Sequence, residues 1–182
     1  MLRTQRLTLR PFTLDDAAFV VELLNSQGWL RFIGDRGVRT EDDARTYLRE
    51  RVLAHQAKHG FALAMVALRS NGTPMGMCGL IRRETLPDVD LGYALLPAWH
   101  GQGYAREAAA AWLAHGFGAL GLKRIVAFTG PDNAASCRVL EAIGMRFEHL
   151  LLGLKGLQGI DDHERARLHR TAEGAKWFLW HG

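Results

Sequence analysis

Gly101 and Gly103 lie two positions apart in the stretch His100-Gly101-Gln102-Gly103-Tyr104-Ala105. The stretch follows a strand-like segment ending at Leu96-Pro97 and opens an alanine-rich helical one. Glycine at such a strand-to-helix turn tolerates positive φ and lets a ligand come close to the backbone. The first N–H groups of the helix have no intrahelical acceptor, and the helix dipole adds partial positive charge beside them. The result is an anion site, most often for a phosphate. Taken alone, the same spacing also fits a tight turn whose glycines only satisfy geometry.

Two phosphate ligand classes fail on neighbouring residues. A dinucleotide fingerprint needs a third glycine where this chain has Arg106, and an acidic residue about 20 positions further on. Lys123-Arg124 occupies that region instead. A nucleotide P-loop needs Gly-Lys-Ser/Thr, which does not follow.

Alternation and capping signals outline the rest. Arg6–Pro11 alternates as a half-buried strand, with a helix starting at Thr13-Leu14-Asp15-Asp16. Asn25–Gly37 reads as irregular, and Thr40-Glu41-Asp42-Asp43 caps a helix running to about Lys58. Phe61–Leu68 and Pro74–Arg82 form a hairpin about Asn71-Gly72. Val89–Leu96 is a strand, Gly103–Leu120 a helix, and Arg124–Thr129 a strand. Ala134–Ile143 is a short helix closed by Gly144. Phe147–Leu154 and Arg167–Trp180 are the final strands. Helices and strands around one sheet make a mixed α/β fold, and residues 1–182 read as a single domain.

The chain carries 48% hydrophobic and 23% charged residues, the balance of a soluble globular domain. Its net charge of +4 is scattered, whereas nucleic-acid binding needs a concentrated basic face. No apolar run is long enough to span a membrane, and no leader is apparent, so the expected location is the cytoplasm. Cys78 and Cys137 sit in apolar segments and read as buried thiols. His163 and His169, among Asp161, Asp162 and Glu164, match no zinc spacing and read as solvated charge; no metal is expected. His55 and His59, one helical turn apart, read as surface residues.

Three motifs recur in order: Gly92-Tyr93 in a strand, the glycine loop continued by Glu107-Ala108, and Asn133-x-x-Ser136 before Leu140-Glu141-x-x-Gly144. On these residues the chain resembles the GNAT superfamily of N-acetyltransferases from about Leu7 to Phe147. Within it the chain is most similar to the RimJ/RimL-like, ribosomal-protein N-terminal group. The resemblance implies a mostly antiparallel sheet with splayed central strands, helices on both faces, and acetyl-CoA bound in the fork. It departs from the family pattern at His100, where the family has Arg or Gln. It departs again at Leu140, where many members have a tyrosine acting as general acid.

The resemblance assigns the coenzyme pyrophosphate to the backbone of Gly101, Gln102, Gly103, Tyr104, Ala105 and Arg106. It assigns the pantetheine arm to backbone groups of Leu95 and Leu96, with Asn133 as a polar contact. Asn133 is also a common type of helix cap. Ser136 is the candidate donor to the departing sulfur, or a helix-start serine bonding locally. Asp90 is the candidate base, or a surface carboxylate at a strand end. Trp29 and Phe32 fall where the fold covers the acceptor, or pack as half-buried aromatics.

The expected reaction is direct acetyl transfer from acetyl-CoA to a primary amine in a ternary complex, without a covalent acyl-enzyme. At neutral pH an α-amine of pKa about 8 is roughly a tenth neutral, and a lysine amine of about 10.4 far less than a thousandth. A protein or peptide N-terminus therefore needs little help from a base. The alternatives are a small amine acceptor (an antibiotic, a polyamine or an amino acid) and a non-catalytic acyl-CoA-binding module. Either a monomer or a homodimer is compatible with the sequence.

Overall fold

In a computed structural model of the chain, residues 1–84, 86–151 and 175–181 are described. The strands are β1 (Leu2–Arg3), β2 (Leu7–Arg10), β3 (Leu63–Leu68), β4 (Pro74–Ile81), β5 (Val89–Leu95), β6 (Arg124–Thr129), β7 (Arg146–Leu151) and β8 (Ala175–His181). They form one sheet in the order β1-β2-β3-β4-β5-β6-β8-β7. Every neighbouring pair is antiparallel except β5 and β6, which are parallel. The final strand β8 is inserted between β6 and β7 rather than added at the edge.

The helices are α1 (Ala17–Leu24), α2 (Gln27–Phe32), α3 (Glu41–Tyr47), α4 (Ala54–His59), α5 (Tyr104–Gly118) and α6 (Ala134–Ala142). A π-helical segment, Leu48–Leu53, joins α3 to α4 without a break. The segment read as irregular over 25–37 contains α2, capped by the Ser26 hydroxyl, which accepts from the Trp29 N–H at 3.4 Å. The helix is only six residues long and includes Gly28, so no periodicity could mark it. The strand expected from Arg167 is described only from Ala175 onward. The His163/His169 group lies outside the described residues.

Strand alternation sends side chains to two cores. Leu7, Leu9, Val66, Leu80 and Leu91 pack against Ala108, Ala109, Trp112 and Leu113 of α5. Met65, Ala67 and Met77 point the other way, against Val20, Leu23, Leu24 and Leu48. The sheet is therefore covered by helices on both faces. Cys78 and Cys137 are both buried free thiols. No helix among the described residues is long and apolar enough to cross a membrane.

Candidate active site

The sheet comes apart between β5 and β6. The two strands pair only at Val89↔Ile125 and Asp90↔Val126, although β5 runs on to Leu95 and β6 to Thr129. Beyond Asp90 they diverge. The Leu96 N–H bonds the Met75 carbonyl at 2.8 Å, so backbone groups of alternate β5 residues face β4. By the same alternation Tyr93 and Leu95 turn their N–H and C=O groups toward the fork, past the last residues that β6 pairs, with the Leu95 carbonyl also taking a bond from His100. Leu95 is thus placed as expected for an added extended partner. Leu96 is not, because its N–H is already taken by β4.

The glycine loop lies past the end of β5. Gly101 and Gly103 hold φ of +74° and +79°, the left-handed conformation that favours glycine. Gly103 is the N-cap of α5 and supplies no side-chain cap, so the first N–H groups of this 15-residue helix lack a capping oxygen. Ser26, Thr40 and Asn133 do cap α2, α3 and α6. Arg106 is exposed in the first turn of α5. His100 turns its ring back, and Nε2–H donates to the Leu95 carbonyl at 2.8 Å.

Arg6, just before β2 and outside the motifs, holds this loop together with the motif residue Glu107. Arg6 donates through Nε to Glu107 Oε2 at 2.6 Å and through a terminal nitrogen to the Gln102 carbonyl at 3.0 Å. Its guanidinium also stacks on the Tyr104 ring, 4.3 Å from the centroid. Glu107 accepts further from the Arg6 N–H at 2.8 Å and from the Thr4 hydroxyl at 2.6 Å. Burial alone would raise the Glu107 pKa, but the hydrogen bonds from Thr4 and Arg6 outweigh it and hold the carboxyl below its ordinary value.

On the face shared with α5 and α6, Asn133 accepts the Ser136 N–H at 3.1 Å and so caps α6. Asn133 Nδ2 makes no protein hydrogen bond among the described residues. The Ser136 hydroxyl lies 2.8 Å from the Tyr93 phenol oxygen across the fork. Leu140 is 1% exposed and belongs to the core.

Asp90 sits at the last paired position before the fork, on the opposite face from Ser136. It is 2% exposed, which overturns the alternative of a surface carboxylate, and Arg83 Nε donates to it at 3.0 Å. Arg83 in turn stacks on Phe128 of β6. Trp29 is buried in the second core, where its indole N–H has no hydrogen-bond partner among the described residues. Phe32 is half-buried beneath the Arg31 guanidinium. Arg31 pairs with Asp132 at 3.6 Å, tying α2 to the loop that leads into α6. His55 is not a simple surface residue: its Nε2 accepts the Arg82 N–H at 3.1 Å. Among the described residues no His, Cys, Asp and Glu group has the arrangement of a metal site.

Residues 6–146 match the profile of the family described as acetyltransferase (GNAT) domain. The uncharacterized N-acetyltransferase YnaD of Bacillus subtilis (strain 168) is 31% identical over 147 residues, covering 81% of this chain and 83% of its own. Among solved structures, the fold is shared with RimL, a ribosomal L7/L12 alpha-N-protein acetyltransferase in complex with coenzyme A. That likeness has a TM-score of 0.77 at 18% identity and covers 98% of this chain and 95% of the other. The fold is shared too with spermidine N-acetyltransferase from Vibrio cholerae in complex with CoA and spermine. There the TM-score is 0.74 at 17% identity, with 98% of this chain and 96% of the other covered. An open strand edge, an uncapped helix after paired glycines and a match over residues 6–146 converge, and the chain belongs to the GNAT family of acetyl-CoA-dependent N-acetyltransferases.

Proposed function

We propose that this enzyme acetylates the α-amine at the N-terminus of a protein or peptide, as a RimJ/RimL-like member of its family. The observation that carries the reading is the Asp90–Arg83 pair. The Asp90 carboxylate is buried and engaged by the Arg83 guanidinium, so it serves a structural ion pair rather than the proton of the acceptor amine. A site built this way suits an amine that is partly neutral on its own. An α-amine of pKa about 8 meets that condition at neutral pH, and a polyamine or lysine amine of about 10.4 does not.

The remaining roles follow the geometry. The backbone from Gly101 to Arg106 receives the coenzyme pyrophosphate at the N-terminus of α5. The fork-facing backbone of Leu95 receives the pantetheine arm. Asn133 sets the start of α6 and leaves its Nδ2 for the bound thioester. Ser136 donates a hydrogen bond to the sulfur as negative charge develops there. Phe32, half-buried on α2, lines the acceptor side, while Trp29 anchors α2 in the core beneath it. All of this belongs to one catalytic domain spanning residues 1–182, since β8 is built into the sheet between β6 and β7. The shared fold of RimL, which acts on a protein α-amine, supports the acceptor class.

The test is acetyl-CoA turnover against peptides with free N-termini, Nα-blocked lysine peptides and small amines including spermidine. The expected result is a kcat/KM for free N-termini at least about tenfold above the others. Preference for spermidine or another small amine would assign the small-molecule class. Turnover with no amine at all would leave only an acyl-CoA-binding role.

A further inference from the structure

We infer that Tyr93 is the residue that aims the Ser136 hydroxyl at the leaving sulfur, a positioning role that no tyrosine on α6 can fill in this chain. The inference rests on Ser136 acting as the donor described above.

The chain has three tyrosines, Tyr47, Tyr93 and Tyr104. Tyr47 packs with the second core, on the face away from Ser136. Tyr104 lies under the Arg6 guanidinium at the start of α5. Tyr93 alone reaches α6: its phenol oxygen is 2.8 Å from Ser136 Oγ and donates toward the Ser136 carbonyl at 3.2 Å. Ser136 is thereby held at two points, its N–H by Asn133 and its hydroxyl by Tyr93. Tyr93 comes from β5 and Ser136 from α6, so the contact spans the gap left where β5 and β6 part.

The protonation of this pair decides what it does. Burial is the largest influence on the Tyr93 phenol and pushes its pKa well above the ordinary tyrosine value, although Ser136 pulls it back in part. Burial thus favours the protonated phenol. What it supplies is direction. When the phenol donates to Ser136 Oγ, the serine hydrogen is free to point at the sulfur. When the phenol donates to the Ser136 carbonyl, the serine hydrogen turns to the phenol oxygen. Negative charge on sulfur favours the first arrangement, in which each hydroxyl polarises the next. The amine lone pair forms the new C–N bond, and the C–S bond breaks with its electron pair on sulfur. The Ser136 O–H hydrogen-bonds that sulfur without giving up its proton. The ammonium proton leaves to water, and the thiolate takes its proton from water.

Tyr93→Phe keeps the ring and removes only the hydroxyl. Its kcat is expected to fall about tenfold, with the KM for acetyl-CoA changed less than about twofold and the Tm retained. In a Ser136→Ala background the same change should cost less than about twofold, since the group it aims is gone. A full loss from Tyr93→Phe in that background would show ring or strand packing at work and overturn the inference. A lowered kcat in Ser136→Ala with an unchanged kcat in Tyr93→Phe would keep Ser136 as donor and reject Tyr93. An unchanged kcat in Ser136→Ala would remove the serine, and the aiming role with it.

Discussion

Arg6 and Glu107, 101 positions apart in the chain, are joined by a 2.6 Å ion pair that ties the turn before β2 to the first turn of α5. The same guanidinium holds the Gln102 carbonyl, so the glycine loop is braced by Arg6 before β2 as well as by its own Gln102 and His100 side chains on Ala98 and Leu95. A loop held this way needs no reordering when an anion arrives, and coenzyme binding loses less free energy to fixing the backbone.

Glu107→Gln weakens the brace while keeping its shape. The KM for acetyl-CoA should rise about three- to tenfold, with kcat nearly unchanged. The Glu107 pKa is held below its unfolded value, so its contribution to stability is present above the unfolded carboxyl pKa and is lost as pH falls through the folded one. The Tm difference between native and variant should be largest at neutral pH and shrink in acid. Thermal melts across pH check both the size and the sign.

Gly103→Glu places a side chain at φ +79°, with Cβ 3.4 Å from an Arg6 terminal nitrogen and a carboxylate at the proposed pyrophosphate site. Acetyl-CoA affinity in calorimetry should fall by more than about a hundredfold. Gly103→Ala separates the two causes. Left-handed strain alone costs about 1–2 kcal/mol of stability and should leave most of the binding.

Asp90→Asn tests whether the Asp90–Arg83 pair is structural or takes the amine proton. The acid limb of kcat/KM should follow the acceptor amine, with an apparent pKa of about 8, and should not move in the variant. The Tm should drop, because Arg83 loses its charged partner in a nearly dry position. A shifted limb without loss of stability would make Asp90 the proton acceptor.

His55 sets an acid limit on the second helical face. Its pKa is lowered from 6.5 to about 4, first by burial and then by the positive charges of His59, Arg83 and Lys58. Between those values the unfolded chain binds a proton that the folded chain refuses, so stability falls as pH drops through that window. Protonation would also end the acceptance of the Arg82 N–H at Nε2. His55→Gln, which can still accept from Arg82, should flatten the Tm profile over this range. The site is partly exposed, so the change should be a few degrees.

Much of the architecture was legible because local signals carried it. Arg124–Thr129 is a strand over the span its apolar run marks, Thr40 caps α3, and Asn133 stands three residues before Ser136 as a cap must. Gly101 and Gly103 announced positive φ at the start of α5. Ser26 three residues before Trp29 was the one available signal for α2, and it went unread because the helix is too short to show a stripe.

The order of motifs by itself determined the family, the fold class and the glycine loop at the start of α5, since each depends on residues close together in the chain. Tertiary structure alone decided the rest. It decided that Leu96 spends its N–H on β4 while Leu95 faces the fork, and that Asp90 is buried against Arg83. It inserted β8 between β6 and β7, and it brought Arg6 to Glu107 and Tyr93 to Ser136. Apart from Asp90 and Arg83, seven positions apart, those relationships join residues twenty or more positions apart, and such distances are closed by sheet register and helix packing, which leave no periodic mark on either partner.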